Sequence, residues 1–292
     1  MPNLKDIRRR ISTVKNTQQI TKAMKMIAAV KLRKAQDQIL AARPYANELI
    51  SVISNLVIHG EGKHHPLLIQ RKPHKVRLVV VTSDRGLCGA YNGNIIRRAE
   101  KFIQEKRGDF KEFKVSFIGR KGHDYFKKRL DPSLVGKIYP DIMKHPSFEQ
   151  ASTIANEMMD EFLKEHLDHV YFIYNEFKSA ISQKVVLETL LPTRAKKEED
   201  SQKLQKIDYL YEPSREEVLT ALLPKHIRIQ VYRILLEAVS SEHGARMTAM
   251  DSATTNARDM ISSLSLLANR IRQAVITKEL MEIVGGAEAL KG

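Results

Sequence analysis

The chain has 292 residues, a formal net charge of +15, a single cysteine and no tryptophan. That length allows one or two domains, and one cysteine excludes an intrachain disulfide, which points to a reducing compartment. The positive excess calls for an acidic partner: nucleic acid, an anionic membrane surface or an acidic protein face. No apolar run approaches the roughly 20 residues that span a bilayer. The opening "MPNLKDIRRRIS" has no apolar signal core and reads as mature structure.

From Asn3 to about Ile58 there is no glycine and one proline, Pro44. Asn3 can cap a helix N-terminus, and Asp6 favours its positive end. Leu32, Ala35, Ile39, Ala42, Ala46, Leu49, Ile53 and Leu56 recur in alternating steps of three and four, a coiled-coil seam. Pro44 predicts a kink, because it removes a backbone donor. Eleven bases against three acids give residues 1–58 a net +8. Met24, Met26, Ile27 and Val30 crowd one short segment, which implies that something surrounds this helix.

Lys75 to Pro192 reads as α/β. Val76–Thr82, Lys114–Ile118, His169–Phe177 and Lys184–Leu191 are β-rich, and helical stretches fall at Tyr91–Lys106, Gly122–Arg129 and Ser147–His166. The alternation predicts a mostly parallel, Rossmann-like sheet, with the last two strands closing as an antiparallel hairpin. Thr193–Gln205 is polar and reads as an excursion. After Pro224 the chain runs to Val284 with one glycine, Gly244. A second seam occupies Met247, Met250, Thr254, Ala257, Ile261, Leu264, Ala268, Ile271 and Val275, and "VGGAEA" then predicts a helix stop.

At about 1.5 Å per residue the terminal helices are roughly 80 and 90 Å long. A body of about 120 residues has a radius of gyration near 14 Å. The helices should therefore project and bury their seams on each other. The expected architecture is α/β plus long helices. Both chain termini form an antiparallel, left-handed two-helix coiled coil around a central Rossmann-like domain. The segments are 1–58, 59–213 and 214–292.

The stretch "VVVTSDRGLCGAYNGN" resembles a phosphate cradle between strand and helix. Its glycines Gly86, Gly89 and Gly93 do not make G-x-G-x-x-G, and it lacks Gly-Lys-Ser/Thr. Ser83, Asp84 and Arg85 can equally bond the loop's own backbone. Cys88 between glycines reads as a small buried thiol. His64, His65 and His74 lie in a linker, and His123–Asp124 and His166–Asp168–His169 read as solvated polarity at element ends. None has metal-ligand spacing. No nucleophile–base–orienter set is evident. The basic helix is compatible with nucleic acid, but no helix-turn-helix, zinc-finger or RNA-binding signature accompanies it. A nucleotide-dependent α/β enzyme with helical extensions and a basic coiled-coil nucleic-acid binder both stay open on these residues alone.

Five longer words narrow the choice. "NTQQITKAMKMIAAVKLRKAQ" (Asn16–Gln36), "SDRGLCGAYN" (Ser83–Asn92), "DYLYEP" (Asp208–Pro213), "SEHGARMTAMDSATTNA" (Ser241–Ala257) and "NRIRQAVITKELMEIVGGAEAL" (Asn269–Leu290) resemble, in this order, the gamma subunit of F-type ATP synthases. The resemblance spans essentially the whole chain. It implies a central rotor shaft that couples ion-driven rotation of the c ring to conformational cycling of catalytic beta subunits. It implies no catalytic residue, no cofactor and no metal in the chain itself. Its partners would be the alpha, beta, epsilon and c-ring subunits, with no nucleic acid. Its place would be the cytoplasmic face of a bacterial inner membrane, reached indirectly through the c ring.

Residue by residue, the resemblance puts Met24, Lys25 and Arg246 beside each other on the shaft, with Met24 and Lys25 facing acidic lever loops. It directs Arg272, Gln273, Thr277 and Glu279 to catch loops of the alpha–beta ring, and "GGAEAL" to an apolar bearing. Tyr209, Tyr211 and Glu212 would meet epsilon and the c ring. Ser83, Asp84, Arg85, Gly86, Cys88 and Gly89 become a fold signature without nucleotide. Gly244 and Ala268 depart from the Ala and Tyr often found there. The paired-cysteine insertion of photosynthetic relatives is missing.

Overall fold

A computed structural model describes residues 3–58, 65–193 and 210–289. The first helix, α1, spans Leu4–Ile58 and continues through Pro44. Asn3 caps it, its Oδ1 accepting from the Lys5 N–H at 3.2 Å. Then follow β1 (Lys75–Val81), α2 (Tyr91–Lys106), β2 (Glu112–Ile118), α3 (Arg120–Phe126), β3 (Val135–Tyr139), α4 (Phe148–Leu163), β4 (His169–Phe177) and β5 (Gln183–Leu191). The last helix, α5, is Arg215–Ala289. Ser214 starts it, its Oγ accepting from the Glu217 N–H at 3.2 Å. Residues 194–205 of the polar excursion lie outside the described residues.

The sheet order is β3-β2-β1-β4-β5. The first four strands are parallel, and β5 pairs antiparallel with β4 as the short connection predicts. β1 sits in the middle and is buried on both faces, so it reads as an unbroken apolar run. Alternation along the strand divides two cores. Val79 and Val81 pack with residues of α1, α4 and α5, whereas Val76, Leu78 and Val80 pack with α2 and α3. β3 is a strand the sequence does not announce. It is five residues long, contains Gly136 and the ion-paired Lys137, and joins β2 across a register shift. The helix after β2 begins two residues earlier than its pattern suggests. Gly119 makes the turn at φ 87°, where an added Cβ would lie 2.0 Å from the Thr82 carbonyl oxygen.

The described chain divides into two compact units, Ala29–Arg246 and Met1–Ala28 with Met247–Gly292. In the first, the α1 seam Leu32–Leu56 does not pair with the second seam of α5. Ala35, Leu49, Ile53 and Leu56 share one core with Leu219, Leu223, Ile227 and Leu235 of α5 and with the sheet. Helix length forbids a whole helix from lying on so small a sheet, but not half of one. The projection expected for the full helices therefore fails for these halves.

In the second unit the partner of the α5 seam is an earlier stretch of α1. Leu4, Ile7, Ile11, Val14, Gln18, Thr21, Lys25 and Ala28 are all buried or half-buried, again in steps of three and four. The pattern is masked in the sequence because Gln18, Thr21 and Lys25 hold seam positions. The helices run antiparallel: Thr254 Oγ1 donates to Thr21 Oγ1 at 2.8 Å, and Lys25 Nζ lies 2.6 Å from Asp251 Oδ1. Register then fixes where support ends. About seventeen residues separate Thr21 from Leu4, and the same rise from Thr254 reaches Ile271. Ile271 is the last half-buried seam residue, and Val275, predicted as the next, is exposed together with all of 272–287. Nor does "VGGAEA" stop the helix, which runs through Gly285 and Gly286 to Ala289. Glycine weakens a helix by about 1 kcal/mol but ends it only in a left-handed cap, and neither residue has positive φ.

Leu56 is fully buried in the shared core. Leu56→Ala should cost about 2–5 kcal/mol in urea unfolding of the full chain. A cost near zero would show that this half of α1 is not part of the sheet's core.

Candidate functional site

The strand order reverses between β1 and β4. In open α/β sheets a cofactor sits at such a point, beyond the carboxyl ends of the strands. Here α5 fills it. Residues Ala238–Gly244 are buried without interruption, which for a helix means enclosure on every side. Tyr91 Oη donates to the Ala238 carbonyl at 3.2 Å, and Ser241 Oγ donates to the Asn175 carbonyl at 2.9 Å. Asn175 Nδ2 in turn donates to the Tyr91 carbonyl at 3.4 Å. Gly244 permits the close approach, since a Cβ there would stand 3.1 Å from the Ala180 carbonyl oxygen.

The loop after β1 is closed on itself and on α5. The Ser83 N–H donates to Asn92 Oδ1 at 3.0 Å, and Ser83 Oγ donates to the Arg85 carbonyl at 2.5 Å. Asp84 Oδ1 accepts from the Arg120 N–H at 3.1 Å, while the Gly122 N–H donates to Thr82 Oγ1 at 2.9 Å. Amides at the start of α3 that would otherwise face an anion are thus given to protein acceptors. Arg85 and Gly86 are exposed, Gly89 turns at φ 55°, and Arg246 Nη2 donates to the Gly86 carbonyl at 3.2 Å. Cys88 is buried, and burial raises its thiol pKa, so it is a packed thiol and not an activated one. The crevice that the nucleotide reading of this loop requires is filled by α5.

Arg246 anchors a buried polar cluster. Its Nη1 lies 2.8 Å from Glu242 Oε1 and 3.2 Å from His243 Nδ1. Burial raises the Glu242 carboxyl pKa against the pull of Arg246. Burial, helped by Arg246 and Lys31, lowers His243 to about 4. The imidazole is therefore neutral at pH 7, and its Nδ1 can accept from the guanidinium. Glu242 and His243 escape sequence reasoning, although charged residues among small ones in "SSEHGAR" are the available signal.

The remaining expected residues fall in separate places. Met24 is half-buried and Lys25 holds a seam position against Asp251. Arg272, Gln273, Thr277 and Glu279 stand on the bare part of α5, where Lys278 and Glu282 form an ion pair at 3.5 Å. Tyr211 is half-buried beside the Arg215 guanidinium, Glu212 is exposed, and Tyr209 and Leu290 lie outside the described residues, as does His64. Asp168 and His169 are structural ties and not solvated polarity. Asp168 Oδ2 accepts from the His74 and Lys75 N–H groups, and His169 Nε2 is 3.0 Å from the Arg71 carbonyl. Among the described residues there is no cluster of three metal-ligating side chains, and no helix is long and apolar enough to cross a membrane.

Solved chains with this combination of sheet and long helices come from ATP synthase stalks and rotors. A chain in the central stalk/c-ring structure of the Tetrahymena thermophila mitochondrial enzyme is 28% identical, with a TM-score of 0.60 over 80% of this chain and 99% of that one. A chain in the Euglena gracilis OSCP/F1/c-ring structure shares the fold at a TM-score of 0.68 and 23% identity, covering 98% of this chain and 94% of that one. The family described as ATP synthase matches residues 3–290. ATP synthase gamma chains of Geobacter sp. strain M21 and Anaeromyxobacter dehalogenans strain 2CP-1 are each 50% identical over the full length of both chains. The chain belongs to the ATP synthase gamma-chain family.

A buried neutral histidine makes stability depend on pH. His243 has a folded pKa below its unfolded value of 6.5, so its contribution is complete above pH 6.5 and is lost as pH falls toward 4. At about 1.4 kcal/mol per unit, the loss across that window is about 3 kcal/mol. Urea unfolding should show a shallower decline over that window for His243→Gln than for the unaltered chain. Identical slopes would mean that the imidazole is not held neutral.

Proposed function

We propose that the chain is the central rotor shaft of a bacterial F-type ATP synthase and acts without catalytic chemistry of its own. The observation that carries this reading is the bare end of α5. Val275, Ile276, Leu280, Met281, Ile283 and Val284 are all exposed large apolar residues. At about 100° per residue they spread over about two-thirds of the helix circumference. A groove would cover one stripe of such a helix. A surrounding sleeve covers it all, and a ring of alternating alpha and beta subunits is such a sleeve.

The helix pair itself suits a part that must turn. A seven-residue repeat favours a left-handed supercoil, and Ala, Thr and Met in the seam keep it slender. Ile20, Met26 and Ile27 are exposed on α1 in the same unit. Lys25 and Asp251 form an ion pair whose side chains remain 41% and 57% exposed. Exposed pairs are worth about 0–1 kcal/mol, so Lys25 can exchange Asp251 for an acidic lever of beta at little cost. In this reading Met24 and Lys25 push on the beta levers, Arg246 works from within its buried cluster by holding α5 in place, and Arg272, Gln273, Thr277 and Glu279 engage the catch loops. Tyr209, Tyr211 and Glu212 face epsilon and the c ring, which carry the chain to the cytoplasmic side of the inner membrane.

Tagged chain expressed in a bacterium lacking its own gamma chain should co-purify with alpha, beta and epsilon subunits and restore ATP-driven ion pumping. Truncation after Thr277 should leave the circular-dichroism melt of the Ala29–Arg246 core within about 2 °C and lower ions pumped per ATP by at least about twofold. These small surface losses follow because residues beyond Ile271 bury little within the chain. Full pumping by the truncated protein would refute the sleeve reading.

A further inference from the structure

Within the Ala29–Arg246 unit, α1, β5 and the first part of α5 line a cavity of about 490 Å³ that is open to solvent on one side. That lies in the size range of small-molecule sites. Its apolar wall comes from Ile39, Ala42, Ala46 and Ile50 of α1 with Ile229 and Leu236 of α5. Its polar wall is less ordinary. Ser54 Oγ, His226 Nδ1 and Glu237 Oε2 are buried with no hydrogen-bond partner, and all three residues line the cavity. Buried polar atoms are nearly always paired. His226 and Glu237 stand eleven residues, about 16 Å, apart along α5, so they mark opposite ends of the cavity, and the orphaned carboxylate oxygen of Glu237 marks the end where a charged partner is missing.

Charge defines what that partner is. Arg233 Nη1 lies 2.9 Å from Glu237 Oε1, and its Nη2 bonds Glu188, whose Oε2 accepts from Tyr174 Oη at 2.6 Å. Two carboxylates thus share one guanidinium. Burial lowers His226 to about 4, so it adds no positive charge at pH 7. Burial also raises the Glu237 carboxyl, against the pull of Arg233. A nearby cation would favour the ionised form of Glu237. Arg43 also lines the cavity, but its side chain is exposed to solvent, and Tyr232 completes the titratable lining.

We propose that this cavity is a binding site for a small amphipathic amine, its ammonium donating to Glu237 Oε2 and its hydrocarbon body lying against Ala42, Ala46 and Ile229. Nothing in the rotor reading requires such a site, and either can fail without the other.

The probes are 4-phenylbutylamine and 4-phenylbutyrate, equal in size and opposite in charge, titrated into the full chain by calorimetry and by thermal shift. The amine should bind with a dissociation constant on the order of 1 mM or tighter and raise the melting temperature. The carboxylate should bind at least about tenfold more weakly. Glu237→Gln should weaken the amine at least about tenfold by removing the acceptor charge. Ala46→Phe fills the apolar end without touching the charged cluster and should abolish binding. Should Glu237→Gln not fold, Ala46→Phe and Ala42→Phe decide the matter. Equal binding of the two probes, no amine binding at 10 mM (roughly tenfold above the expected constant), or amine binding unchanged in the cavity-filled variants would overturn the proposal.

Discussion

The packing of Ala238–Gly244 into the sheet's switch point is the constraint on which the Ala29–Arg246 unit depends. A doubly wound sheet leaves a crevice where its strand order reverses, and that crevice must be covered by a ligand, by water or by protein. In this chain it is covered by a helix. Tyr91, Asn175 and Ser241 bond the helix to β4 and to the start of α2, and Arg246 bonds it to the loop after β1. The sheet is thereby turned from a binding device into a mount for α5. Glu242 and His243 are the cost of the arrangement. A helix enclosed on all sides has nowhere to send its polar residues: Arg246 holds Glu242 Oε1 and His243 Nδ1, while Glu242 Oε2 and Ser240 Oγ stay buried without a hydrogen-bond partner.

A related economy governs the helix pair. The α1 seam runs without a break from Leu4 to Leu56 in steps of three and four, yet its residues change character along the way. From Leu32 onward the seam is aliphatic or Ala, and Ala35, Ala46, Leu49, Ile53 and Leu56 of it pack in the core shared with the sheet. From Leu4 to Ala28 it includes Gln18, Thr21 and Lys25, and its partner strip on α5 includes Thr254. The Thr21–Thr254 hydrogen bond favours this register, because a slip of either helix would lose the contact between the two hydroxyls and leave each only the carbonyl of its own helix, Gln18 or Met250. Stability is traded there for alignment.

These differences also explain what the sequence reveals and what it hides. β1, α2, β4 and β5 are legible nearly to the residue because apolar runs and alternation express burial directly. β3 is hidden because an edge strand with Gly136 and Lys137 owes its conformation to β2 and not to its own propensity. The seam from Leu4 to Ala28 is hidden by its polar members, so the sequence pattern pairs α5 with the wrong stretch of α1 although both helices are legible. The helix stop at Gly285–Gly286 is a case of propensity outweighed: two weak positions at the end of a long helix do not end it without a cap to receive the chain. Of the candidate residues, Arg246 was legible as important but not its grip on Gly86, since contacts 160 positions apart leave no local trace.

The bare end of α5 follows from register alone, and its consequences reach furthest. Because α1 begins at Leu4, nothing in the helix pair can cover α5 beyond Ile271, whatever its sequence. A chain selected only for its own stability would make that end polar. Instead its apolar residues spread around the circumference, with Arg272, Gln273, Lys278 and Glu279 among them. Apolar contact between smooth surfaces is non-directional, so it resists withdrawal of the helix more than rotation about its axis. Ion pairs and hydrogen bonds are directional and distinguish one angle from another. A helix end that mixes the two can therefore stay seated in a sleeve while favouring different partner conformations as it turns, and only such a difference in interaction can drive the partners through a cycle.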